Sequence, residues 1–204
     1  MTQVHNFRVD LAFSEAASCE PFWDAVYRKA FPDLVAHVAC PGNTTSQRQG
    51  VDRLVHLGSG RTLKIDEKKR RGEHQAILLE YLSNDKTGAP GWMEKELQID
   101  YLAYAFMPTS RCYLFPWDML RRAWLYHRDA WKKKYFNPQA QNPGYRTHSV
   151  AVPVDVLRGA VSTAAVIDVS TEMSKTIPVP AMIERPERPL PAAQLLKYEQ
   201  SSLF

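Results

Sequence analysis

The sequence predicts an α/β domain, a mixed central sheet flanked by helices, and three observations carry that reading. Stretches of strand character come mainly first, amphipathic helical stretches bracket them, and a content of 45% hydrophobic and 11% aromatic residues is enough for a sizeable core. That order suits a mixed sheet with helices on its faces better than an all-β barrel or a helical bundle. With 204 residues, the chain is sized for one ordinary domain and an appendage.

Composition excludes a wholly disordered, collagen-like or disulfide-scaffold protein. The 26 Lys plus Arg and 22 Asp plus Glu leave a net charge of +4, so local distribution of charge, and not its sum, has to identify a partner. No apolar run approaches the roughly 20 residues of a membrane span, and Met1 to Asp10 lack a basic segment followed by an apolar one. A soluble, cytoplasmic protein is the expectation. Cys19, Cys40 and Cys112 form no Cys-x-x-Cys pair, which fits a reducing compartment. The six histidines show no ligand spacing, so zinc is not expected.

The first helix is placed after Ser14 as cap, with Phe22, Trp23, Val26, Tyr27, Ala30 and Phe31 on one face before Pro32 stops it. Past a polar stretch from Pro41 to Gln49, Val51 to Leu57 reads as a strand, and Gly58-Ser59-Gly60 turns it into a second from Arg61 to Lys68. Ala76 to Leu82 is nearly continuous in apolar residues and reads as a central strand covered on both faces. Ile99 to Phe106 and Cys112 to Phe115 add two strands to that sheet. A long helix follows from Trp117 to Tyr135, ending in Lys132-Lys133-Lys134. A turn at Asn142-Pro143-Gly144, a late strand from Thr147 to Val152 and a short helix from Val154 to Ala165 complete the domain, set at residues 1–173. Residues 174–204 form a proline-rich arm: five of the 14 prolines, Pro178, Pro180, Pro186, Pro189 and Pro191, oppose a helix there.

The chemistry concentrates in the hairpin. Asp52 opens its first strand and Asp66-Glu67-Lys68 closes the second, so a separation of 14 residues collapses to contact distance at one edge of the sheet. Two carboxylates at close range repel unless a cation neutralises them, and hard oxygen ligands select Mg²⁺ or Mn²⁺. A neighbouring lysine can orient a water and offset charge on a phosphorane-like transition state. Together these are the parts of phosphodiester hydrolysis. Alternation puts Lys64, Asp66 and Lys68 on one face and Leu63, Ile65 and Glu67 on the other. The pair Asp66 with Lys68 is therefore preferred, while Glu67 with Lys69 stays as an alternative that a bulge would swap in.

Val51-Asp52 followed by Asp66-Glu67-Lys68, within helix, hairpin, apolar strand and further strand and helix, resembles the PD-(D/E)XK nuclease superfamily with its restriction-endonuclease-like core. The resemblance covers roughly residues 14–127, with Val51 in place of the nominal proline. It implies a metal-dependent DNA nuclease with Asp52, Asp66 and Glu67 as candidate ligands, Lys68 as the catalytic lysine and Glu80 as a third ligand or a group that orients the lysine. Glu15 and Glu20 are helix acids of the kind that contact the metal in some members, but a solvated role is favoured for both. Asp100-Tyr101 also has counterparts in related nucleases, and a capping aspartate beside a buried tyrosine explains it equally well. The run Lys68-Lys69-Arg70-Arg71, with Arg48, Arg53 and Arg61 near in sequence, fits phosphate contacts.

Gln200-Ser201-Ser202-Leu203-Phe204 resembles the bacterial sliding-clamp-binding peptide, in which a glutamine anchors the polar end and Leu-Phe enters an apolar pocket; Ser201 departs from the usual leucine. The resemblance implies recruitment through Gln200, Leu203 and Phe204, against packing of that segment on its own domain. A compact nuclease with such a peptide suits a phage or mobile-element origin. The alternative function is a nuclease-fold protein without catalysis that acts as a nucleic-acid-binding or clamp-binding adaptor.

Overall fold

The computed structural model describes residues 20–40, 49–72 and 74–176. The fold is mixed α/β, as expected, but its strands divide between two sheets. The larger sheet contains β1 (Leu34–Ala39), β2 (Arg53–Leu57), β3 (Thr62–Arg70), β6 (Tyr101–Phe106), β7 (Arg111–Pro116) and β10 (Ala165–Asp168), in the order β1-β2-β3-β6-β7-β10. The smaller contains β4 (Ala76–Asn84), β5 (Ala89–Pro90), β8 (Gln139–Asn142) and β9 (Tyr145–Pro153), in the order β5-β4-β9-β8. Within the larger sheet, β3 and β6 run parallel, and every other neighbouring pair is antiparallel.

Helix α1 (Glu20–Ala30) covers one face of the larger sheet. Phe22, Trp23, Val26 and Tyr27 are buried there against Val55, Leu63, Ile65, Ala103 and Leu114. Burial of each such side chain is worth about 1.5–3 kcal/mol, which is what holds an 11-residue helix too short to persist alone. The opposite face carries Leu102, Tyr104, Phe106 and Phe115, packed against Ile77, Leu79, Val150 and Val152 of the smaller sheet. Helix α2 (Trp117–Lys134) contributes Trp117, Leu120, Trp124 and Trp131 to this second core, and α3 (Val154–Ala160) contributes Leu157. The indole of Trp124 and the guanidinium of Arg128 bind Glu94, fixing α2 to the segment that crosses from one sheet to the other.

Several expectations change. The apolar run in β4 does not join the hairpin's sheet, because the free edge of β3 is taken by β6 in parallel and β4 pairs instead with β9. Nor is β4 covered on both faces: Ile77 and Leu79 are buried while Leu78 and Glu80 are half-buried, the alternation of a strand with one covered face. Finally, β3 lies in the interior of its sheet and continues to Arg70, so Asp66 and Lys68 are mid-strand residues and not at a sheet edge. The short helix after β9 ends at Ala160, and β10 follows. A last helix, α4 (Ser170–Thr176), runs across the expected boundary between residues 173 and 174.

Gly91 ties the crossing segment to β4. A Cβ at this position would lie 2.4 Å from the carbonyl oxygen of Glu80, so only glycine permits the close approach in which its N–H donates to the carbonyl of Tyr81 at 3.1 Å. No described helix is long and apolar enough to cross a membrane.

Candidate active site

The β2–β3 ladder brings the acids together. Arg53 faces Ile65, Leu54 faces Lys64 and Val55 faces Leu63, and one step beyond this register the amide of Asp52 donates to the carbonyl of Ile65 at 2.9 Å. The backbone N–H of Glu67 donates to Asp52 Oδ2 at 2.8 Å, so the carboxylate of Asp52 is pinned to the strand that carries Asp66. Asp66 is 2% exposed, its carboxylate lies within hydrogen-bonding reach of Asp52, and Lys68 Nζ donates to Asp66 Oδ1.

The electrostatics follow from that crowding. Burial pushes the Asp66 carboxyl up to about 7, and the charge of Asp52 adds to the rise while Lys68 opposes it. Burial alone would depress Lys68, but Asp66, Asp52 and Glu80 more than offset this, so its pKa lies above the ordinary lysine value. The Lys68 side chain keeps 32% of its surface exposed, while the Asp66 side chain it pairs with keeps 2% and Asp52 is half-buried. Glu80 stands across from it on β4: burial raises its pKa, Lys68 and Lys95 lower it, and the amide of Trp92 donates to its carboxylate. It faces the lysine, not the carboxylate pair.

Among the described residues, no three His, Cys, Asp or Glu side chains converge as an all-protein metal cage. The donor set nevertheless fits Mg²⁺ or Mn²⁺, because small hard cations commonly take only one or two carboxylates and fill the rest of their shell with water and substrate oxygens. Burial is the main cause of the raised pKa of Asp66 and the charge of Asp52 adds to it, so a divalent cation between the two would favour their ionised forms.

Other expected site residues lie elsewhere. Glu67 points to the opposite face of β3, where Arg53 Nε donates to its Oε1 at 2.5 Å and Tyr27 donates to the same oxygen at 2.7 Å. The β3–β6 register runs without a bulge from Ile65 to Arg70, so nothing turns this carboxylate toward Asp66. Arg53, expected at a phosphate, is 1% exposed and spends its donors on Glu67, Glu20 and His37. Glu20 is committed to Arg53 on that same face, and Asp100 accepts from the amide of Lys64 at 2.7 Å, the structural reading of the Asp-Tyr pair. Lys69 and Arg70 are half-buried and Arg71 is exposed, continuing β3 outward from Lys68; Arg61 is exposed at the turn of the hairpin, away from Asp52. Glu15, Arg48, Gln200, Leu203 and Phe204 lie outside the described residues.

The buried partnership of Arg53 with Glu67 was not foreseen, although the signal is present: period-2 alternation places Arg53 with Val55 on the face that carries Ile65 and Glu67. No family model matches the chain, and no curated protein or solved structure matches it.

A pH prediction follows from Asp66. Its folded pKa of about 7 exceeds the ordinary 3.8, so its contribution to stability is complete below 3.8 and is lost as pH rises through about 7. In thermal melts over that range, the Tm of Asp66→Asn should gain steadily on that of the native chain and the difference should then level off. Mg²⁺ added above pH 7 should raise the native Tm and leave that of the variant unchanged.

Proposed function

We propose that the chain is a metal-dependent DNA nuclease of the PD-(D/E)XK type, hydrolysing phosphodiester bonds at Asp52, Asp66 and Lys68. The observation that carries this reading is the meeting of two close carboxylates and one lysine on a single face of the hairpin. A divalent cation would stabilise the two acids in their ionised forms beyond what Lys68 alone supplies. The helix and antiparallel hairpin agree with the order that carries the resemblance, while the apolar strand β4 leaves the hairpin's sheet.

Asp52 and Asp66 would hold Mg²⁺ or Mn²⁺, which supplies Lewis-acid stabilisation at a phosphoryl oxygen and a lowered pKa for an attacking water. Lys68 is cationic at neutral pH, so it acts as a donor and not as a general base. It orients the water and offsets charge as the new P–O bond forms and the bond to the leaving sugar oxygen breaks. The charge of Glu80, on the second sheet, adds to the rise in the Lys68 pKa. Arg70, on the Lys68 face of β3, and Arg71, just past its end, suit contacts to phosphates that position DNA without reading its sequence, while Lys69 lies on the opposite face of the strand. Recruitment to a sliding clamp through Gln200, Leu203 and Phe204 is a second part of the proposal, and it rests on the sequence alone.

Cleavage of plasmid DNA should require a divalent cation, and Lys68→Ala should lower kcat by on the order of 10²–10³ while DNA binding changes little, because the lysine acts on the transition state. Equal rates for the native chain and the variant, measured side by side on independent preparations, would remove Lys68 from the chemistry. Deleting residues 200–204 should abolish binding to a bacterial sliding clamp in a pull-down and leave cleavage of naked DNA unchanged; clamp binding that survives the deletion would refute the tail's role.

A further inference from the structure

Behind the two site carboxylates, on the other face of the same strands, lies a buried ion pair made of their chain neighbours. Arg53 follows Asp52 and Glu67 follows Asp66. The Arg53 and Glu67 side chains are 1% and 7% exposed, and Nε donates to Oε1 at 2.5 Å. The rest of the guanidinium fork is also filled: Nη1 and Nη2 donate to the two oxygens of Glu20 at 3.0 and 3.2 Å, and Nη1 reaches His37 Nδ1 at 2.9 Å. Because a guanidinium only donates, Nδ1 must accept; the imidazole proton therefore sits on Nε2, which donates to Asp24 Oδ1 at 3.2 Å. Tyr27 completes the shell of Glu67 from α1.

This arrangement is costly for what it does as packing. Val55, Leu63 and Ile65 surround the same position on the sheet, and apolar residues in place of a buried ion pair are often as stable or more so. Its placement gives it another use. The amide of Glu67 is the donor that pins Asp52, so any shift of Glu67 moves the Asp52 carboxylate relative to Asp66. We infer that Arg53 and Glu67 form a positioning clamp, which locks the β2–β3 register from behind and keeps the carboxylates of Asp52 and Asp66 spaced to share one divalent cation. This rests on the reading that the two carboxylates bind such a cation. In the clamp, Arg53 and Glu67 touch neither ion nor substrate.

The test is Mn²⁺ binding to the full chain by titration calorimetry, with thermal unfolding measured on the same samples. The double variant Arg53→Met/Glu67→Met removes one charge of each sign, so its net charge is unchanged and a loss of affinity reports on position. Partners behind a metal's ligands typically matter about 10–100-fold; the Kd for Mn²⁺ should rise by that factor while the unfolding temperature stays equal or increases. A folded double variant that binds Mn²⁺ as the native chain does would overturn the clamp and leave the metal site standing. Should the double variant not fold, Arg53→Lys decides, because it keeps the charge and loses the fork: weaker Mn²⁺ binding supports the clamp and unchanged binding overturns it. A native chain that binds no Mn²⁺ would remove the metal site and the clamp together.

Discussion

The register between β2 and β3 decides which face every charged group of the hairpin occupies. With Arg53 opposite Ile65, period-2 alternation sends Asp66 and Lys68 to the face shared with the second sheet, and Glu67 to the face shared with α1. A slip of one residue would exchange the two sets, moving Lys68 under α1 and Ile65 out of the apolar core to the face that now carries Asp66. Leu63 and Ile65 of this strand are buried in the core beneath α1, so that core enforces a register on which the site depends.

Charge follows the same division. Beneath α1, Arg53 meets Glu67 and Glu20 with its hydrogen-bonding donors used, and although burial works against its charge, the two acids hold its pKa above the usual arginine value. Across the strand, one lysine faces Asp66 and Asp52, and burial raises the proton affinity of Asp66 into the neutral range. One side is a closed, satisfied network. The other is partly open at Lys68, and that opening is what separates a structural cluster from a candidate site.

Local signals were legible and distant partners were not. The hairpin, both long helices, and the strands ending in Phe106 and Phe115 could be read because turn glycines, capping charges and periodicity lie within a dozen residues of what they specify. The second sheet could not, since Ala76 to Asn84 finds its partner in Tyr145 to Pro153, and nothing local distinguishes that choice from pairing with the hairpin. Strand β1 was missed because it is an edge strand: Val35 and Val38 are exposed and His37 breaks the apolar run, so it lacks the alternation of a half-buried strand. Asp52, Asp66 and Lys68 were found through strand context and alternation. Arg53 was placed at a phosphate because its sign suited one, when the same alternation that sorted Asp66 from Glu67 puts it in the core.

The whole account turns on whether the two carboxylates share a cation. Anomalous diffraction from crystals of the protein soaked in Mn²⁺ measures this directly. The account predicts one strong peak between the carboxylates of Asp52 and Asp66, at about 2.0–2.2 Å from an oxygen of each as small hard cations require, and on the face of β3 that carries Lys68. Crystals that diffract well and show no peak there, or Mn²⁺ bound instead at Glu67 or Glu80, would contradict it.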